Sequence, residues 1–339
     1  MIASKTIDEQ RISQAIARLD GFPRLSFGCR PTPLAEMPRL RAALGKNCPC
    51  LFIKRDDYTG FGFGGNKVRA LEYLLAEAVR EGVGAVVTSG GDRSNHARQT
   101  AAFCARLGLR CVLVLDRKPR PAKTEALKSA NLFVSETCGA EVHLVDSIAE
   151  RQALCRELVR RLQSDGLKVL ELPLGGGLAL GALGFADAMR ELREQSDVAF
   201  DYLFTASSGA CTQAGMLLGK QLFGFDGLKI IGVSPDEPSE DVRGAVRRML
   251  GAASELLELA VAENVTVLTD YAGAGYCHET DAAQEALKLL ARAEGIMLDS
   301  VYTAKAMAAL LDWVRQGKLT VRDNVLFWHT GGQLGLFYA

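Results

Sequence analysis

Apolar residues in this chain switch between two spacings. Leu51-Phe52-Ile53, Ala85-Val86-Val87-Thr88 and Cys111-Val112-Leu113-Val114-Leu115 are short continuous runs rich in β-branched residues, which predicts buried strands. Further strands are predicted at Val142-His143-Leu144-Val145, 169–172, 202–206, 229–233 and 324–329. Between them the period lengthens. Val68, Leu71, Leu75, Ala78 and Val79 follow a spacing of 3.6, with Glu72, Glu77, Arg80 and Glu81 opposite, as in a helix with one apolar face. Helices are also predicted for the opening residues to Asp20, for 97–107, 147–163 and 282–294. Residues 22–33 read as extended, ending in Arg30-Pro31-Thr32-Pro33, and 116–123 as a proline- and base-rich loop. This alternation implies parallel sheets covered by helices, with any ligand at the carboxyl ends of the strands.

The connections carry the chemistry. Phe63-Gly64-Gly65-Asn66-Lys67-Val68-Arg69 is a glycine-rich turn running into a helix, so Lys67 falls in the first helical turn. The free N–H groups and positive dipole end there disfavour an added ammonium charge, and a neutral amine can attack a carbonyl to form a Schiff base. The bland alternative is a solvated lysine after an ordinary loop. The preceding charges, Lys54-Arg55-Asp56-Asp57, read as a solvated strand end close to any site the turn builds. Ser207-Ser208-Gly209-Ala210-Cys211-Thr212 joins a strand to a helix, and such a small-residue turn is either an anion cradle or plain tight packing.

Composition narrows the function classes. Lys plus Arg and Asp plus Glu both number 40 in 339 residues, so there is no bulk field for nucleic acid or an anionic membrane. No apolar run is long enough for a bilayer, and the first residues lack a signal-like apolar core, so the expectation is a cytoplasmic protein with no membrane partner. Nine scattered cysteines without a C-x-x-C pair favour reduced thiols, and no metal site is expected.

A lysine, a phosphate cradle and a Ser-Asn pair at a helix start suit pyridoxal phosphate. Five motifs in order resemble the D-cysteine desulfhydrase and 1-aminocyclopropane-1-carboxylate deaminase family: 64–72, Ser94-Asn95-His96-Ala97-Arg98-Gln99-Thr100, Gly181-Ala182-Leu183-Gly184, 298–305 and His329-Thr330-Gly331-Gly332. The resemblance covers about Phe22 to the C-terminus. It implies the two-domain α/β architecture of fold type II pyridoxal-phosphate enzymes, with parallel sheets flanked by helices and the cofactor in the interdomain cleft. The large domain is expected over 1–80 and 173–339, the small inserted one over 81–172. A homodimer is implied in the same way.

By that resemblance Lys67 carries the cofactor and takes the substrate Cα proton, and Asn95 bonds the cofactor ring hydroxyl. Ser94 holds the substrate carboxylate or relays a proton; an N-cap role is compatible with either. Ser207, Ser208, Gly209, Ala210, Cys211 and Thr212 bind the phosphate, Tyr276 and Tyr302 flank the substrate, and Thr330 or Thr303 faces the ring nitrogen. Thr303 follows the tyrosine where the cyclopropane-opening branch carries Glu, and His96 stands where that branch commonly has Gln; both favour the desulfhydrase-like branch. Arg93 is a candidate for recognising an anionic substrate group, or simply a surface charge. Gly177-Leu178 and Ala210-Cys211 depart from the family pattern. The expectation is β-elimination on a small amino acid, D-cysteine being the nearest precedent. Alternatives are an L-cysteate sulfo-lyase, a cyclopropane-carboxylate deaminase, a β-replacement enzyme, or a protein that binds cofactor without turnover.

Overall fold

A computed structural model describes residues 2–118, 128–236, 241–261 and 264–337. Of the expected loop 116–123, positions 119–123 lie outside the described residues. Ten strands are described: β1 Leu34–Glu36, β2 Cys50–Arg55, β3 Ala85–Gly91, β4 Arg110–Asp116, β5 Glu141–Val145, β6 Val169–Leu172, β7 Tyr202–Ala206, β8 Lys229–Val233, β9 Thr266–Leu268 and β10 Asn324–His329. The α-helices are α1 Ile2–Gly21, α2 Pro38–Leu44, α3 Lys67–Arg80, α4 Asn95–Leu107, α5 Ala130–Thr137, α6 Ile148–Ser164, α7 Ala179–Gln195, α8 Cys211–Leu222, α9 Val242–Leu256, α10 Asp281–Glu294 and α11 Thr303–Arg315.

The strands form a six-stranded sheet ordered β1-β2-β10-β7-β8-β9 and a four-stranded sheet ordered β5-β4-β3-β6. All pairings are parallel except β1 with β2, an antiparallel edge that the βα alternation did not anticipate. In register, His329 lies opposite Arg55 and Trp328 opposite Thr205, so β2, β10 and β7 end on one rim.

Alternation along each strand divides the core. Leu203, Ile230, Leu326 and Trp328 of the larger sheet share one apolar core with Val86, Leu113 and Leu115 of the smaller sheet, built through α3, α4, α7, α8 and α9. The opposite faces carry Ile53, Phe204, Ile231 and Phe327 toward α10 and α11, and Ala85, Val87, Val112 and Val114 toward α6. Within the shared core α3, α7 and α8 approach at glycine contacts. A Cβ at Gly184 would lie 2.2 Å from the Arg69 carbonyl oxygen, and one at Gly215 would lie 2.1 Å from that of Ala182. The 181–184 motif therefore serves helix packing, seating α3 and α8 against α7, with the N-termini of α3 and α8 at the site.

The charge run at the end of β2 is not solvated. Lys54 and Asp56 are fully buried, and the Arg69 guanidinium, two residues after Lys67, is buried with them. Arg69 donates to both Asp56 oxygens at 2.9 and 2.8 Å and to both Glu191 oxygens at 3.0 Å. Lys54 donates to Glu191, and the Trp328 indole N–H donates to Asp56 at 2.9 Å. This network ties the first turn of α3 to β2, β10 and α7.

Candidate active site

Lys67 opens α3 after two short turns, and Gly64 and Gly65 have φ of +68° and +116°. At φ +116° Gly65 takes a conformation that side-chain-bearing residues rarely adopt, and a Cβ there would also sit 2.7 Å from the Gln99 amide nitrogen and 3.3 Å from the Thr330 carbonyl oxygen. The Asn66 backbone N–H donates to the Thr330 carbonyl at 2.9 Å, and its side-chain amide donates to Thr212 Oγ1 at 2.9 Å. The turn is thereby pinned to the ends of β10 and α8. Burial lowers the pKa of the Lys67 ammonium, while Cys211 and Asp236 pull it the other way and lose.

At the end of β3, Ser94 caps α4: its Oγ accepts from the Ala97 N–H at 3.1 Å. His96 follows on the first turn and is buried. The Thr88 hydroxyl donates to the Leu172 carbonyl at 2.9 Å, so it must accept from His96 Nε2 at 3.1 Å. That places the imidazole proton on Nε2 and leaves buried Nδ1, which has no partner, as an acceptor. Burial, then the neighbouring Lys67, lower the His96 pKa to about 3, so the ring is neutral.

Between β7 and α8, Ala210 has φ +60° and ψ −38°, and the Cys211 N–H donates to the Gly209 carbonyl at 2.6 Å. This is a tight γ-turn with a non-glycine residue at its centre. It feeds the first turn of α8, whose leading N–H groups have no carbonyl within the helix. The buried Ser207 hydroxyl has no partner, whereas the Ser208 hydroxyl donates to Asp236 Oδ1 at 3.0 Å.

Tyr276 and Tyr302 share a hydroxyl–hydroxyl hydrogen bond of 2.6 Å, with rings edge to face at 5.7 Å. Burial pushes both phenols well above their ordinary pKa, so both are neutral. Lys305, buried on α11, fixes this region by donating to the carbonyls of Ala272 at 2.7 Å, Gly275 at 2.8 Å and Pro235 at 3.3 Å. It thus holds the loops bearing Tyr276 and Asp236.

These elements converge on one cavity of about 510 Å³, lined by Lys67, Ser94, Asn95 and His96, by Ser207 to Ala210 with Thr212, and by Tyr276, Tyr302 and Thr330. Three expected residues do not bring side chains to it. Arg93 precedes the capping serine and donates from Nη2 to the Gly335 carbonyl at 3.0 Å, outside the cavity lining. The Thr303 hydroxyl is bound to Asp299, donating at 2.6 Å and accepting from its N–H at 2.8 Å, which leaves Thr330 as the hydroxyl at the cavity. Cys211 points at the Leu178 carbonyl 3.8 Å away, and burial pushes its thiol up to about 12, so only its backbone belongs to the turn. Sequence reading missed Lys118, Arg151 and Asp236, which also line the cavity. Each follows a strand or opens a helix, and no residue pattern marked them as facing inward.

A two-sheet α/β fold with an inward lysine between a helix-N-terminal cradle and a capped Ser-Asn turn defines a cofactor-using enzyme. The comparisons give the particular group: the "Pyridoxal-phosphate dependent enzyme" family matches residues 25–331, and the chain belongs to that family. A crystal structure described as an ACC deaminase homologue is 33% identical, covers 96% of both chains and superposes with a TM-score of 0.87. A hydrogen sulfide-producing enzyme from Fusobacterium nucleatum is 16% identical with 94% of this chain and 98% of that one covered, TM-score 0.65. Processed threonine deaminase isoform 2 from Solanum lycopersicum is 17% identical with 95% and 90% covered, TM-score 0.67; these last two share the fold.

The cofactor is therefore pyridoxal phosphate, and the residues present fit it. The unpartnered Ser207 hydroxyl and the N-terminus of α8 suit a phosphate, and Gly175, at φ +68°, brings its backbone into van der Waals reach of the Lys67 amine and Gly209. Among the described residues no helix is long and apolar enough to cross a membrane.

Proposed function

We propose that this enzyme is a lyase/deaminase that performs β-elimination on a small amino acid, D-cysteine-like in size, releasing a keto acid and ammonia. The observation that carries the reading is the convergence of the Lys67 amine, the capped Ser94-Asn95 turn and the neutral tyrosine pair on one cavity. Bound pyridoxal phosphate supplies an electron sink that stabilises negative charge at the substrate Cα. Lys67 would hold the cofactor and would serve as the base for the substrate Cα proton, a task that its lowered pKa favours. Asn95 bonds the ring hydroxyl, and Thr330 offers the ring nitrogen a hydroxyl in place of a carboxylate. Ser207, Thr212 and the N–H groups of α8 that follow Cys211 hold the phosphate, with Ser208 already engaged by Asp236. Ser94 and the N-terminus of α4 hold the substrate carboxylate, and His96 Nδ1 accepts one hydrogen bond beside it.

Of the two phenols, one donates to the other, so the pair has one proton left to give. Neutral and buried, it acts as an acid on the group leaving Cβ. Residues 81–172, which contain the four-stranded sheet, form on this reading a small domain inserted into a large one of 1–80 and 173–339, in a cytoplasmic homodimer.

A second reading, a cyclopropane-carboxylate deaminase, has the 33%-identical homologue behind it. The test is keto-acid release over D- and L-amino acids and the cyclopropane substrate, with Tyr302→Phe as the control. Pyruvate and ammonia from a β-substituted amino acid, lost by at least 10-fold in Tyr302→Phe, support elimination. Release of 2-oxobutanoate from the cyclopropane substrate alone supports the second reading, and no keto acid from any substrate rejects both.

A further inference from the structure

The wall of the cavity formed by the end of β4 and the start of α6 carries two cations that the reading above does not use. In the pairing of β3 with β4, Gly91 lies opposite Asp116. With no side chain at Gly91, the stem of Lys118 crosses the strand end: a Cβ there would lie 2.7 Å from Lys118 Cγ. One residue earlier, a Cβ at Gly90 would lie 2.9 Å from Ser94 Cβ. Successive strand residues face opposite ways, so Ser94 and Lys118 flank the two faces of this strand end, and both line the cavity. Lys118 Nζ pairs with Asp116 Oδ2 at 2.5 Å and stands 5.7 Å from the centre of the Tyr276 ring. Arg151, in the first turn of α6, pairs with the other Asp116 oxygen. Its side chain is only 10% exposed, and its Nε has no hydrogen-bond partner.

Both cations line the cavity while Asp116 stands behind them, so one carboxylate serves two positive charges. The carboxylates that do line the cavity are engaged from the other wall: Asp236 accepts from Ser208, and Asp241 caps α9 through the Gly244 N–H at 2.8 Å. Asp92 accepts from the Lys118 backbone N–H at 3.2 Å and lies off the cavity. Lys118 and Arg151 are thus the cations on the wall formed by the end of β4 and the start of α6, while the lining carboxylates Asp236 and Asp241 belong to other elements of the cavity.

Building on the lyase reading, we propose that Lys118 and Arg151 form a recognition site for a second anionic group, a carboxylate or sulfonate, on the amino-acid substrate. A guanidinium with an unused N–H and an ammonium placed over a tyrosine match such a group in charge and donor number. Asp116 is the positioning residue that holds both in place. The same arrangement disfavours a substrate with a cationic side chain.

The experiment titrates the holoenzyme with size-matched pairs, cysteate against cysteine and aspartate against asparagine, in both enantiomers. Binding is read from the cofactor absorbance and from thermal stabilisation. Wild type is expected to bind the anionic member of a pair about 10-fold tighter, which corresponds to roughly 1.4 kcal/mol. Lys118→Gln and Arg151→Gln should each bring the anionic-to-neutral ratio near one. A preference confined to cysteate identifies a sulfonate, and one shared with aspartate a general anion. A wild-type ratio at or below one, or a ratio that both variants leave intact, overturns the proposal. Should Arg151→Gln fail to fold, Lys118→Gln, whose side chain is 20% exposed, decides. Keto-acid release without anion preference removes the recognition site and leaves the lyase; anion preference without turnover does the reverse. No response to any amino acid overturns both.

Discussion

Replacing Glu191 by Gln should cost stability at neutral pH and change how the protein responds to acid. Glu191 accepts from Arg69, Lys54 and the Thr32 N–H, the last at 2.9 Å. Burial alone would raise its pKa, but Arg69 and then Lys54 outweigh it and hold the carboxyl at about 2, against an ordinary 4.5. At 1.36 kcal/mol per pKa unit, that difference is worth about 3 kcal/mol of folded-state stability. Because the folded pKa is depressed, this stability is fully present above the unfolded value and is lost as pH falls from about 4.5 through 2. By pH 3 roughly 2 kcal/mol of it is gone. Urea unfolding of wild type and Glu191→Gln, followed by fluorescence, reads the effect locally, since Trp328 belongs to the same network and is one of only two tryptophans. The stability gap should be about 3 kcal/mol or more at pH 7, since the variant leaves Arg69 and Lys54 undercompensated, and should narrow by about 2 kcal/mol at pH 3. A gap that stays constant between these pH values would refute the assignment of Glu191 as the ionised centre of the network.

Two further predictions concern the cavity walls. Ala210→Gly should relieve the positive-φ turn of the cradle, a strain of about 1–3 kcal/mol offset by roughly 0.5–1 kcal/mol of glycine entropy, and raise the thermal midpoint by a few degrees; an unchanged or lower midpoint contradicts the strain. The nitrogen NMR spectrum of the four histidines should show His96 protonated on Nε2 and uncharged from pH 8 to pH 5, and Thr88→Val should lose that preference along with about 1–3 kcal/mol of stability. A wild-type Nδ1–H tautomer contradicts the hydrogen-bond direction deduced from Thr88.

Most of the strands could be read from the chain because their apolar runs are continuous: 169–172, 202–206, 229–233 and 324–329 coincide with β6, β7, β8 and β10. The three-residue strands β1 and β9 were not legible, since so short a run carries no period. Lys54 and Asp56 were misread as solvated because their partners come from elsewhere: Glu191 is 137 positions from Lys54, and nothing local signals it. Arg93 shows the opposite case. It is adjacent in sequence to the capping Ser94, yet neighbours at a helix start point in different directions, and Arg93 reaches Gly335 instead. Lys118 and Arg151 reach the cavity only through the β3–β4 register and the docking of α6. Lys67 was legible because its glycine turn and helix start are local.

The most direct test of the account is borohydride reduction of the purified enzyme with pyridoxal phosphate, followed by peptide mass spectrometry and compared with Lys67→Ala. The account predicts one reduced cofactor adduct, on Lys67, with loss of the cofactor's visible absorbance on reduction, and no adduct in Lys67→Ala. An adduct on another lysine, or an equal adduct in Lys67→Ala, would contradict it.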